Sequence, residues 1–151
     1  MKLSTRAHYG LRAVVAIAKL TKDGDPVSVH DIAEQEDLSD TYLEQLMSKL
    51  RRAGIVKSFR GARGGYELVK DVDSITVAEL LDAAGEKLTF PDCVSAEGCD
   101  RAKARGCMCP SGFFWNDLSE SMLKMAESVT VGDLIRREEK AFAELKKAEQ
   151  D

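Results

Sequence analysis

Four cysteines lie within seventeen residues of this chain, and the rest of the sequence contains none. They are Cys93, Cys99, Cys107 and Cys109, in the spacing C-x5-C-x7-C-x-C. Thiolates bind soft metal centres such as iron–sulfur clusters and zinc, whereas paired zinc ligands are usually separated by about two to four residues. The close spacing of Cys107 and Cys109 therefore favours a cluster over a structural zinc site.

A second chemical signal is the turn Arg60-Gly-Ala-Arg-Gly-Gly-Tyr66, which combines two guanidinium groups with three glycines. Glycine lets a backbone approach phosphate closely, and arginine binds phosphate oxygens. Although the chain has a net charge of -4, residues 45–66 contain six basic residues and no acidic one. The local field therefore suits nucleic acid in spite of the acidic total. The six are Lys49, Arg51, Arg52, Lys57, Arg60 and Arg63.

The apolar periodicity predicts a mainly α fold with a small β-wing, in which a winged helix-turn-helix DNA-binding domain precedes a long amphipathic helix. Three helices are expected over 5–21, 29–36 and 40–53, the last two capped by Ser28 and Ser39. Strands over 55–59 and 66–69 flank the glycine turn as a wing. A helix from Thr76 to about residue 84 follows, and then a long helix over 112–128 and a last helix capped by Thr130.

This pattern divides the chain into four parts: a DNA-binding domain over 1–85, a cysteine-rich loop over 86–111, dimerisation and C-terminal helices over 112–142, and a frayed tail over 143–151. Apolar residues at helical spacing are expected to face inward. They are Leu11, Val14, Val15 and Ala18 in the first helix, and Trp115, Leu118, Met122 and Met125 in the long helix.

The sequence argues against a membrane protein and against an enzyme. No apolar run approaches the ~18 residues of a membrane span, and the N-terminus lacks a signal-peptide core, so we expect a cytoplasmic protein. Disulfides are disfavoured there, which again favours metal or redox chemistry for the cysteines. No nucleophile–base pair, phosphate loop or pair of carboxylates in helical register stands out.

A series of short motifs spans nearly all 151 residues. Together they resemble, in the same order, motifs of the Rrf2 family of bacterial winged-helix regulators, which includes IscR, NsrR and CymR. The resemblance implies a transcriptional regulator, expected to be a repressor, that forms a homodimer through the long helix and binds palindromic promoter DNA. The motifs are Met1-Lys-Leu-Ser4, Tyr9-Gly-Leu-Arg-Ala13, Ile32-Ala-Glu34, Tyr42-Leu-Glu-Gln-Leu46, Leu50-Arg-Arg-Ala-Gly-Ile-Val56, the glycine turn, Ile75-Thr76, Trp115-Asn-Asp-Leu118 and Thr130-Val-Gly-Asp-Leu134.

The same resemblance assigns DNA-reading positions to the third helix and the wing. Glu44 can accept a hydrogen bond from cytosine N4, and Gln45 can pair with adenine; alternatively, both are only solvated helix residues. Arg63 stands where many members of the family have a small residue. The positions that read DNA in the family are Ser39, Thr41, Glu44, Gln45 and Arg60, and those expected to hold phosphates are Lys49, Arg51, Arg52, Lys57 and Arg63.

By resemblance, three cysteines would hold an iron–sulfur cluster, of either the 2Fe–2S or the 4Fe–4S type. In cluster-binding members the third cysteine stands six residues before the tryptophan, which is Trp115 here and selects Cys109. Cys93, Cys99 and Cys109 are thus the expected ligands. Cys107 is then an alternative third ligand, a fourth ligand or a free thiol.

The fourth ligand is expected to come from outside the cysteine loop. Some members use a histidine three residues after the third cysteine, but Gly112 stands there. Others use position 8 of the partner subunit, where this chain has His8, and imidazole suits iron. A surface histidine without a role remains the alternative for His8. His30, the other histidine, is read as a surface residue beside a helix cap.

The leading hypothesis is therefore a regulator that senses iron–sulfur status, redox potential or nitric oxide through this cluster. Three alternatives stay open. A CymR-like regulator would hold no cluster and would respond to a partner protein. A thiol switch would form a disulfide between Cys107 and Cys109, and a zinc site would use the four thiolates.

Overall fold

The computed structural model describes residues 4–21, 24–61, 63–88 and 110–148. Its first three helices are α1 over Thr5–Leu20, α2 over Val29–Glu36 and α3 over Asp40–Arg52. These bounds agree with the expected ones to within one residue, so the helix-turn-helix prediction is confirmed.

Side-chain caps determine where α2 and α3 begin. The Ser28 hydroxyl accepts the backbone N–H of Asp31, and the Ser39 hydroxyl accepts that of Tyr42. Each cap satisfies an N–H group that has no partner within its own helix. Between the two helices Asp37 adopts a left-handed conformation, with φ 53°. This conformation ends α2 and allows α3 to begin three residues later.

The wing is an antiparallel hairpin of β1 over Val56–Phe59 and β2 over Gly65–Leu68, in which Val56 pairs with Leu68 and Phe59 with Gly65. Its turn includes Gly61, whose φ of 107° favours glycine. The hairpin is also bound to the segment before α2, because Val27 and Tyr66 exchange two backbone hydrogen bonds of 2.9 and 2.8 Å. The wing is therefore fixed to the helix-turn-helix.

The core lies around α1, which packs against α2, α3, β2 and the helix α4 over Val77–Ala84. The stripe expected to face this core is only partly correct: Val14 is fully buried, whereas Leu11, Val15 and Ala18 are only half-buried. Because α1 is contacted from several sides, its buried face is wider than one stripe and turned toward smaller residues. The residues of α1 that are at most 2% exposed are Ala7, Ala13, Val14, Ala16 and Ile17.

Two long helices complete the described chain, α5 over Pro110–Ser128 and α6 over Val131–Ala148. The start of α6 belongs to the core of the winged helix-turn-helix, because Val131 is fully buried and its N–H donates to the Ile75 carbonyl at 2.9 Å. At its other end α6 continues to Ala148, and its last six residues lie where the frayed tail was expected.

A group of charged side chains holds the start of α6 against the turn before α4. Arg136 contacts Asp73 at 2.8 Å and Asp133 at 2.9 Å. The backbone N–H of Thr130 is the main cause that lowers the pKa of Asp133 to about 2, and the hydrogen bond from Arg136 adds to it. Asp133 therefore remains a carboxylate at neutral and mildly acidic pH, and the pair with Arg136 persists there.

The face that α5 buries differs from the expected one. Trp115, Leu118 and Met122 are half-buried as anticipated, but Met125 is 68% exposed, so its assignment to the inner face was wrong. The reason is that α5 packs its Ala126 side against α4, with Leu81 and Ala84 in the same cluster. Each of the described helices is also too short or too polar to span a bilayer.

Gly65→Ala is expected to destabilise the protein by about 1–3 kcal/mol, the typical cost of overpacking. The added methyl group would lie 2.3 Å from the Val27 carbonyl oxygen, and moving that oxygen would break the backbone pairing that fixes the wing. The free energy of unfolding, measured in urea by circular dichroism, tests this expectation. Gly10→Ala is the control: its methyl group would meet Leu46 at 3.7 Å, an ordinary contact, inside a helix that favours alanine. Equal losses for both variants would contradict the close approach at Gly65.

Candidate nucleic-acid interface

Helix α3 presents one buried and one exposed side. Leu43, Leu46, Met47 and Leu50 are buried, whereas Thr41, Glu44 and Gln45 are exposed. The exposed three thus lie together on the outward face of the second helix of a helix-turn-helix, which is the element that enters the major groove in this motif.

Ser39 stands at the exposed N-terminus of this helix. Its hydroxyl oxygen accepts the Tyr42 N–H at 3.3 Å, and its own O–H can still donate to an acceptor on DNA. Ser39 therefore has a structural role in the cap that does not compete with a DNA contact.

The basic residues fall into two groups. Arg51 donates from Nη1 to the Ser58 hydroxyl at 3.2 Å, and Lys57 Nζ lies 3.3 Å from the Glu67 carboxylate. Arg51 therefore connects α3 to β1, and Lys57 connects β1 to β2. The others form no ion pair within the described ranges. They are Arg52, Arg60 and Arg63, which are exposed, and Lys49, which is half-buried.

Sequence reasoning missed the partners of Arg51 and Lys57. The acid-free stretch ends at Tyr66, one residue before Glu67, and only the strand register places Glu67 opposite Lys57. The same register could have been estimated from the hairpin turn, since opposite residues of a two-stranded ribbon lie about 5 Å apart.

Helix α1 is joined to α3 by close aromatic and aliphatic contacts. The rings of Tyr9 and Tyr42 meet edge to face with their centroids 6.0 Å apart, and Gly10 leaves room for Leu46. The Tyr42 hydroxyl is buried without a hydrogen-bond partner among the described residues. Arg12 extends the contact to α2, because its guanidinium lies 5.7 Å from the Tyr9 ring centroid and pairs with the buried Glu36.

The three cysteines expected to be ligands, Cys93, Cys99 and Cys109, lie outside the described residues, as does Cys107. His8 lies within them, exposed on α1, and its ring meets that of Tyr9 edge to face at 5.1 Å. No hydrogen bond or ion pair occupies its imidazole among the described residues. Nor do three or more histidine, cysteine or acidic side chains come together there in a way that could hold a metal. His30 is exposed, with Nδ1 3.8 Å from Asp40.

Known proteins resemble this chain in sequence and in fold. The Rrf2 family model, described as iron-dependent transcriptional regulators, matches residues 3–137. The transcriptional regulator IscR of Klebsiella pneumoniae is 37% identical over 139 residues, which cover 92% of this chain and 82% of that protein. The structure of T. potens IscR aligns with a TM-score of 0.70 at 33% identity, and the alignment covers 93% of this chain and 90% of the IscR chain. That of CymR, the global cysteine regulator of B. subtilis, has a TM-score of 0.69 at 32% identity, with coverages of 89% and 95%.

Proposed function

Because this chain belongs to the Rrf2 family of transcriptional regulators, we propose that it represses promoters as a homodimer whose DNA binding depends on an iron–sulfur cluster. At the coarser level it is a DNA-binding regulator and not an enzyme. The finer proposal has three parts, namely the DNA-contacting residues, the dimer and the cluster.

The unpaired cations carry the DNA part of the proposal. Lys49, Arg52, Arg60 and Arg63 form no ion pair among the described residues that DNA binding would have to break, and they lie on α3 and on the turn of the wing. Phosphate contacts position a protein on the duplex, and base contacts select the sequence. We therefore assign base reading to Ser39, Thr41, Glu44, Gln45 and Arg60, and phosphate binding chiefly to Lys49, Arg52 and Arg63, with Arg51 and Lys57 contributing less.

Arg52→Gln is expected to lower the salt dependence of DNA binding more than Lys57→Gln. Each phosphate contact contributes about 0.9 to the slope of log K against log salt concentration, and Lys57 must share its charge with Glu67. Fluorescence anisotropy over a salt series, on a palindromic duplex selected by the protein from random sequences, measures the slope. Lys124→Gln, an exposed change on α5, is the control. A slope lowered equally by Lys124→Gln would contradict the assignment.

The dimer part rests on an apolar seam along α5. Phe114, Leu118 and Met125 recur at the spacing i, i+4, i+11, which places them on one side of a helix. Phe114 and Met125 are 60% and 68% exposed, so this seam is open in a single protomer. We propose that a second copy of α5 covers it, since long helices with an apolar seam pair in this way.

Met125→Glu is therefore expected to shift the protein toward monomer, because a carboxylate would be buried without a partner at the seam. Analytical ultracentrifugation measures the dissociation constant, which should rise by tenfold or more, about 1.4 kcal/mol. Leu123→Glu makes a comparable change at a residue that is also exposed but lies about 160° around the helix. The assignment fails if Leu123→Glu weakens the dimer as much as Met125→Glu.

The cluster part rests on the donor set. Three thiolates from Cys93, Cys99 and Cys109, with His8 of the partner subunit as the fourth ligand, are donor types found in iron–sulfur centres. The His8 imidazole is exposed and has no hydrogen bond or ion pair among the described residues, which fits this role. When bound, such a cluster supplies a group whose ligation changes with iron supply, redox state or nitric oxide. Cys107, two residues before Cys109 in the sequence, is an alternative ligand.

The protein's own packing offers a route from His8 to the DNA-binding helix. His8, Tyr9 and Gly10 are consecutive on α1, and the last two contact α3 through Tyr42 and Leu46. A pull on His8 that displaced α1 would therefore displace α3 as well, because packed interiors transmit small shifts rather than absorb them. Thiolate and imidazole ligands must also be deprotonated, so loading should fall as the pH is lowered.

His8→Ala is expected to lower the iron and sulfide content of anaerobically purified protein, or the lifetime of its brown colour, while the apo form stays folded. His30→Ala changes the chain's other histidine and should leave both values unchanged. Iron and sulfide analysis with visible absorption provides the measurement, and parallel Cys107→Ala and Cys109→Ala variants identify the third thiolate. Equal cluster lifetimes for the two histidine variants would remove His8 from the set.

The similarity to CymR keeps a second function in view, a cluster-free regulator controlled by a partner protein. A zinc site or a disulfide between Cys107 and Cys109 are further alternatives. Colourless protein with one zinc per chain would support zinc, and binding that responds to thiol oxidation without iron would support the disulfide. DNA affinity that is identical with and without metal and reductant would favour the partner-controlled regulator.

A further inference from the structure

Phe59 is an exposed aromatic residue at the end of β1, directly before Arg60. Its side chain is exposed, at 43%, as are those of Lys57 and Ser58 before it on the same strand. Single exposed apolar residues are common on protein surfaces, so exposure alone assigns nothing. Three features of its surroundings give this one a role.

The strand register leaves Phe59 without a cross-strand side chain. It pairs with Gly65, and Gly65 cannot be larger because a Cβ there would lie 2.3 Å from the Val27 carbonyl oxygen. Cross-strand side-chain pairs are the usual way in which a hairpin stabilises an aromatic residue. The close approach that fixes the wing therefore also leaves the Phe59 ring with surface available to another molecule.

The surrounding charges indicate a nucleic acid as that molecule. Lys57 Nζ lies 5.5 Å from the Phe59 ring centroid and is held by Glu67 at 3.3 Å. Arg60 and Arg63 follow on the turn, exposed and without an ion pair among the described residues. An apolar ring among cations suits a surface in which charged phosphates border apolar sugars and base edges.

The wing presents the ring in a defined position. The two hydrogen bonds between Val27 and Tyr66 attach the hairpin to the helix-turn-helix, so the ring is oriented relative to α3 before DNA binds. Such preorganisation reduces the ordering cost of binding.

We propose that Phe59 is a DNA-contacting residue whose ring lies against the sugars and base edges of the minor groove beside each half-site. This inference rests on the proposed DNA-binding function of the wing. The contact is apolar, and it therefore adds affinity that does not depend on salt, in contrast to the phosphate contact proposed for the neighbouring Arg63.

Phe59→Ala should weaken binding roughly five- to tenfold per half-site, as expected for losing part of a buried phenylalanine contact. The slope of log K against log salt concentration should stay as in the wild type. Arg60→Ala should weaken binding, whereas Arg63→Ala should weaken it and also lower the slope by about 0.9 per subunit. Phe59→Leu, which keeps most of the apolar surface, should have an intermediate affinity. Anisotropy titrations over a salt series on the selected duplex give both quantities.

Val69→Ala is the matched control, because the Val69 side chain is also exposed, at 50%. Val69 directly follows β2 at the end of the hairpin far from the turn, where its N–H donates to the Ile55 carbonyl. It should leave DNA affinity unchanged. The competing explanation is that the ring only covers the Gly65 backbone, as aromatic residues do for some strand glycines. In that case Phe59→Ala would lower the melting temperature of the free protein and leave the affinity of the folded fraction unchanged, which overturns the proposal.

The remaining outcomes separate this inference from the function on which it rests. If the wild type binds the duplex and Arg60→Ala weakens it while Phe59→Ala does not, the Phe59 contact alone is refuted. If Phe59→Ala lowers the salt slope, the ring positions a cation and the apolar contact is again refuted. If the wild type selects no duplex, DNA binding by this wing fails together with the inference.

Discussion

The close packing of α1 against the other helices is the constraint on which the rest of the structure depends. Gly10, Ala13 and Ala16 are buried in this helix, and such small residues let neighbouring backbones approach closely. α2, α3 and α4 all contact α1, as does the beginning of α6. The proposed DNA-reading helix α3 and the last described helix α6 are thus oriented by the same element. His8 lies on the exposed side of that element, which places a candidate ligand on the part that orients α3.

A second close approach, between Gly65 and Val27, fixes the wing and determines how its charges are used. The register that follows brings Glu67 to Lys57 and leaves Phe59 opposite a residue with no side chain. As a result the basic surface is not uniform. Arg51 and Lys57 contact other side chains of the wing, other cations form no ion pair among the described residues, and the exposed Phe59 ring lies between them in the sequence. Counting basic residues would assign the same role to all of them.

Fold and function are separable in this family. The chain is about equally similar to the structures of an IscR and of CymR, so the architecture alone does not select the signal. What distinguishes the possibilities is the local chemistry of four cysteines and a histidine placed on that architecture. Cluster binding would therefore depend on these donor atoms, whereas DNA binding depends on the winged helix-turn-helix that the family shares.

The sequence by itself determined the features that arise from short-range interactions. Helix starts at Ser28, Ser39 and Thr76, the glycine turn and the order of elements all follow from hydrogen bonds and φ preferences within a few residues, and each is found where the pattern predicts it. The exposed face of α3 could likewise be read from its period. The tertiary structure decided the rest: which side of α1 is most deeply buried, that Met125 faces outward, and that Val131 enters the core of the winged helix-turn-helix. Each of these depends on which distant segment lies opposite a residue, and that is settled only when the whole core packs.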